Sequence, residues 1–173
     1  MKRLSVFSLS AMVTLGLALL PSGIVAQQGT LKQQLVGTWT LVSETVESGG
    51  QTVEPFGANP LGTMMLDASK HFMLMISRPG LPKIGANRRD GGTPEENKEV
   101  LAGILAFFGT YTVSESDGLL TVHVEASTFP NWIGSDQKRE FTLSGNEMTW
   151  TNRTPAVSGE AAKLVWRRQK QAD

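Results

Sequence analysis

Arg139 shares one side of an extended run with Phe141 and Leu143, because side chains two apart on a strand point the same way. A guanidinium at the mouth of an apolar enclosure can clamp a carboxylate or an enolate through two parallel hydrogen bonds. The plainer alternative is a strand-end charge that meets water or pairs with Glu140 or Glu125. Arg78 follows the apolar stretch 72–76 and offers the same choice. His123, Glu125 and Ser127 form an alternating row able to do general acid–base chemistry if it faces inward, which makes His123 and Glu125 the catalytic candidates. Val122 and Val124 occupy the positions between, however, and periodicity gives the core to the valines and the solvent to His123 and Glu125.

Met64, Met65, Met73, Met75 and Met148 add flexible, polarizable side chains suited to a pocket for an apolar or aromatic ligand, with plain core filling as the alternative. Met148 shares a face with Trp150. The candidate ligand-binding set is therefore Arg139, Arg78, Met64, Met73, Met148, Trp150 and Phe141. The loop Phe129-Pro130-Asn131-Trp132 carries two aromatics that either meet a ligand or plug a barrel end. His71 and His123 are the only histidines, so a three-histidine zinc site is excluded, and no carboxylate cluster has metal-ligand spacing. Neither a phosphate-cradling glycine loop nor a Gly-x-Ser-x-Gly elbow occurs, and no cofactor is expected.

Lys2 and Arg3 precede an apolar run over 4–20, broken by Pro21 and Gly23 and followed by small residues before Gln27. Residues 1–26 therefore read as a signal peptide, and residues 27–173 as one domain large enough to bury a core. The domain keeps 14 of the 16 basic residues and all 16 acidic ones, a formal charge of −2 with no basic stripe. That balance argues against nucleic acid and, once the leader is removed, against membrane as partners. With no cysteine, disulfides and thiol catalysis are excluded. The expected location is secreted or periplasmic.

Eight strand-like runs position the candidate groups, over 36–46, 62–67, 71–77, 109–114, 119–126, 138–143, 147–152 and 162–168. The connections at 67–70, 116–118 and 144–146 carry residues that tolerate tight hairpin geometry. An eight-stranded antiparallel up-and-down meander removes its exposed edges by closing into an all-β barrel, whose interior holds side chains or one small ligand. A β-sandwich is the rival. With Trp39 facing in, strict alternation puts Leu41, Ser43 and Thr45 beside it. Between the third and fourth strands, Thr93-Pro94-Glu95-Glu96 is a capping box that starts a helix. Leu101, Ile104, Leu105 and Phe108 continue it as an apolar stripe ended by Gly109. That stripe is expected to pack across a barrel mouth or on the outer wall, after a Gly/Pro-rich loop over 78–92.

Several motifs in order, namely Leu35 to Ser43, Pro55 to Gly62, Gly92 to Asn97, Phe108 to Val113, and Phe129 to Gly134, resemble the bacterial and fungal lipocalin-like domain family, a calycin-type barrel. The resemblance covers most of residues 27–173 and includes the His-Val-Glu-x-Ser row. It implies that Gly37 and Trp39 open the first strand and that Arg168, from the last, lies across Trp39 and closes the barrel. The Gly/Pro/basic segment 78–92 departs from the family pattern.

These readings favour an exported lipocalin-like protein that binds a small, largely apolar or aromatic molecule, with room for an anionic group, and leaves it chemically unchanged. The alternative is a cofactor-independent isomerase, cyclase or lyase using His123 with Glu125 or Arg139 inside the barrel. A third reading is an interaction module that docks a partner through its outer face or the 55–60 loop.

Overall fold

The computed structural model describes residues 29–156 and 160–170. The leader expected over 1–26 lies outside them. A short helix α1 (Leu31–Leu35) precedes β1 (Gly37–Ser48), which turns through Gly49 and Gly50 into a brief β2 (Gln51–Val53). There follow β3 (Leu61–Leu66), β4 (His71–Ser77), α2 (Pro94–Ala102), β5 (Ile104–Ser114), β6 (Leu119–Ser127), a single 3-10 turn (Pro130–Trp132), β7 (Asp136–Ser144), β8 (Glu147–Asn152) and β9 (Ala161–Arg168). Consecutive strands pair antiparallel, and β1 pairs with both β3 and β9, so every strand but β2 joins a closed barrel. The first end of this barrel gathers the start of β1, the tight turns and the end of β9. The opposite end carries the long connections, including α2 and the 3-10 turn.

The helix is shorter than its apolar spacing suggests. Thr93 and Glu96 form the expected capping box, but Gly103 ends the helix, donating its N–H to the carbonyls of Glu99 and Val100. Ile104, Leu105 and Phe108 belong instead to β5, where residues 104–110 pair with β4 and 107–114 with β6. Two flanking strands satisfy the backbone of that segment on both sides, which outweighs a helical stripe of three or four residues. Thus α2 buries no residue, Leu101 is exposed, and the strand expected from Gly109 starts at Ile104.

Two irregularities set which side chains enter the barrel. In β1 the pairing with β9 slips between Leu41 and Ser43. The extra residue of a bulge resets the alternation, so Trp39 and Leu41 point inward, then Glu44 and Val46, while Ser43 and Thr45 do not. The expectation of strict alternation from Trp39 to Thr45 fails at this bulge. A second slip separates Phe108 from Gly109 in the β5–β6 ladder. There a Cβ on Gly109 would strike the carbonyl oxygen of His123, so no other residue fits without backbone movement.

Candidate ligand cavity

Gln137, Arg139 and Phe141 alternate along β7 and all enter the barrel. Arg139 is only 1% exposed. Its guanidinium donates to the Lys138 carbonyl at 2.9 Å and to Gln137 Oε1, while the Gln137 amide donates to Ser135 Oγ at 3.2 Å. That last bond orients the glutamine with its oxygen toward Arg139. The guanidinium carbon lies 5.7 Å from the centre of the Trp132 ring and 5.8 Å from that of Trp150, within reach of cation–π attraction. Burial pulls its pKa down to about 10, so the group remains a cation at neutral pH. Among the described residues, only two of its N–H donors find acceptors.

Glu44 enters the same space from β1. It is 6% exposed, its Oε2 has no hydrogen-bond partner among the described residues, and burial raises its pKa from 4.5 to about 7. Glu44 and Arg139 line one cavity without forming an ion pair. The wall is otherwise mostly apolar, with Phe56, Phe107, Trp132 and Trp150 among its aromatics, and it includes the neutral polar side chain of Asn152. The Trp150 indole N–H is a second orphaned polar group, now a donor. The cavity measures about 30 Å³. A water needs on the order of 10–15 Å³ measured this way, so the space admits a water or two and an aromatic molecule enters only by displacing wall side chains.

The first end of the barrel is sealed. Arg168 sits 4.2 Å above the Trp39 ring, donates to the Val36 carbonyl at 2.8 Å and donates also to that of Gln34. Trp39 Nε1 donates to the Leu35 carbonyl at 3.0 Å, tying α1 beneath the barrel. Gly37, at φ 140°, leaves room for this latch, since a Cβ there would lie 2.8 Å from Arg168 Nη1.

With a closed antiparallel meander and this Trp–Arg latch in view, the comparison with known proteins is direct: residues 36–169 match the profile of a family described as a lipocalin-like domain. The chain belongs to the lipocalin-like domain family. A 102-residue stretch is 32% identical to the 4'-hydroxy-3'-methoxypropiophenone carrier protein ppsC of Aspergillus oryzae, covering 54% of this chain and 92% of that protein. Among solved structures, a lipocalin-like protein from Bacteroides uniformis is similar with a TM-score of 0.43 and 13% identity, over 78% of this chain and 98% of its own. An uncharacterized protein from Bacteroides eggerthii gives 0.41 and 13%, over 78% and 99%.

Of the residues singled out in the sequence, Arg139 and Trp150 line the cavity of this lipocalin-like barrel. Met64, Met148 and Phe141 are buried elsewhere in the core. Met73 is a correction: it points outward, 54% exposed, as does Met75, because β4 turns Phe72, Leu74 and Ile76 inward, and Met65 points outward because β3 turns Met64 and Leu66 inward. Met65, Met73 and Phe108 are cross-strand neighbours and form an apolar row on the outer wall. The 55–60 loop turns Phe56 into the barrel instead of presenting it to a partner. Arg78 is an ion-pair partner of Glu99 on α2 and does not line the cavity.

His123 and Glu125 both face outward, as the flanking valines require. His123 Nδ1 lies 2.7 Å from Asp136 Oδ1 on the outer surface. Acid–base chemistry by this row inside the barrel is therefore ruled out by register. Trp132 plugs the loop-bearing end and packs edge-on against Phe107 and Phe129, with ring centres 5.2 and 5.7 Å away. Glu44 was missed. The signal in the sequence is the change of phase between Trp39 and Leu41 at odd positions and Val46 at an even one, which demands an extra residue between them.

Proposed function

We propose that this lipocalin-like protein is a carrier, exported to the periplasm or the medium, that holds a small aromatic molecule bearing an oxygen function and returns it unchanged. The observation that carries this reading is the buried Arg139 guanidinium, held between two indoles on a cavity wall with N–H donors to spare. Aromatic rings of the ligand replace wall side chains, and its oxygen meets the cation. Exchange for Trp132 is the economical route, because that side chain comes from a single 3-10 turn at the loop-bearing end and not from a strand. The carrier of an aryl ketone with a phenolic hydroxyl in Aspergillus oryzae supports the aromatic part of the assignment. The leader-like sequence at 1–26 supports export.

Native mass spectrometry of residues 27–173 after incubation with a small-molecule extract of the source organism tests the function. The expected result is one retained aromatic compound released with unchanged mass, and lost in Arg139→Met. A released compound of altered mass would replace the carrier by an enzyme. Localisation is checked by fractionating cells that express the full chain.

A further inference from the structure

Holding an aromatic ligand on Arg139 gives Glu44 no task, although its carboxyl group lies inside the barrel. The bulge in β1 delivers it there, and one of its oxygens is left without a partner. Across the cavity stands a cation that, among the described residues, no carboxylate neutralises. Among the described residues lining the cavity, Glu44 and Arg139 are the only titratable or charged groups. Inward side chains on the strands beside β1, among them Met64 and Leu66 of β3 and Ala162, Leu164 and Trp166 of β9, are apolar apart from one indole N–H. Gln137, which supports Arg139, is neutral.

Charge balance inside such an enclosure is decisive, because an unpaired charge away from water is costly. With Glu44 protonated, the cavity holds one positive charge and suits one anionic oxygen. The acid O–H, the guanidinium N–H groups and the Trp150 indole on the same wall are then all donors, so the cavity offers an acceptor-rich oxygen what it needs. With Glu44 ionised, the two side chains already cancel, and an entering anion would be left in excess beside a like charge.

We infer that the barrel takes up an aromatic carboxylate together with one proton, the carboxylate oxygen pairing with Arg139 and the proton residing on Glu44. The proton comes from solvent and returns there on release, so no other reactant is required. Raising the pH discharges the ligand. This rests on the carrier reading and adds to it the charge class of the ligand and the condition that releases it.

The test is titration with 4-methoxybenzoate, ionised throughout the range used, and with its neutral methyl ester, followed by tryptophan fluorescence and by calorimetry in two buffers of different ionisation enthalpy. Benzoate affinity is expected to hold steady up to about pH 7 and then fall by up to about tenfold per pH unit, with uptake approaching one proton per ligand. The ester should show no such fall. In Glu44→Gln the slope and the proton uptake should vanish, whatever its affinity at low pH. The wild-type buffer comparison needs no variant, so the inference remains testable even if that substitution disturbs folding. Benzoate binding without proton uptake above about pH 7, or a slope that survives in Glu44→Gln, overturns the proton coupling and leaves the carrier standing. Failure of both probes to bind overturns the carrier reading and the coupling with it.

Discussion

Arg168 and Arg139 both lie against tryptophan, at the two ends of one barrel, yet their surroundings differ in every respect that matters. Arg168 stacks at 4.2 Å on a single ring and donates to two backbone carbonyls of the segment leading into β1. Its task is complete within the fold. Arg139 sits farther from two rings, takes support from one glutamine and one carbonyl, and faces a cavity that also holds an orphaned carboxyl group. Each guanidinium donates two hydrogen bonds to the chain, but Arg168 spends both on backbone carbonyls that fix the start of β1, whereas Arg139 is braced only by its own strand and borders a cavity it shares with a carboxyl group. The distinction separates the scaffold end of this molecule from the functional end more sharply than burial does, since Trp39 and Arg139 are both almost wholly enclosed.

The strongest way to sharpen this contrast is to remove the ring at the sealed end. Trp39→Ala should cost about 4 kcal/mol in urea unfolding, from lost burial and the cavity left behind. Glu44 supplies the next effect through pH. Its folded pKa, about 7, is above its ordinary 4.5. The folded state therefore holds the proton more tightly, and this contribution, fully present below about pH 4.5, is lost as the pH rises to about 7. The stability difference between wild type and Glu44→Gln should shift by about 3 kcal/mol across that window in denaturation series at stepped pH, and be flat above it. A constant difference would mean that water reaches the carboxylate.

The two arginines can then be set directly against each other. Arg168→Met should lower stability by about 2 kcal/mol, because two carbonyls lose their donor along with the cation–π contact. Arg139→Met should change it by no more than about 1 kcal/mol, since losing a buried unpaired charge offsets the lost contacts. Equal losses in guanidinium unfolding would erase the division between scaffold end and functional end. The smallest effect belongs to the outer surface. His123→Ala should alter stability by less than about 0.5 kcal/mol, as expected for an exposed pair, and leave retention of the aromatic compound unchanged.

The residues that specify the fold were legible because each acts locally. The turns at 67–70, 116–118 and 144–146 follow from their own chemistry, and the outward placement of His123 follows from the valines on either side. The cavity was only half legible. Arg139 and Trp150 lie on strands that keep strict alternation. Glu44 depends on a slip between β1 and β9, strands separated by most of the chain; the phase change from Leu41 to Val46 signals an extra residue, but where it falls is decided by that distant pairing. Met73 was misplaced because residues 72–76 are uniformly apolar, which leaves period-two reasoning no contrast between inner and outer faces. The segment 101–108 fits both a helical and a strand period, and only pairing with β4 and β6 decides between them.

The latch at the sealed end also dictates the order of assembly. Arg168 reaches back 132 and 134 positions along the chain to the carbonyls it holds. The β1–β9 seam is the longest-range pairing in the sheet, whereas every other seam joins strands that are neighbours or near neighbours in sequence. Contacts of such separation form slowly because loop closure must come first. The meander can therefore form strand by strand with both edges open, and the barrel closes only once its last, eight-residue strand is in place.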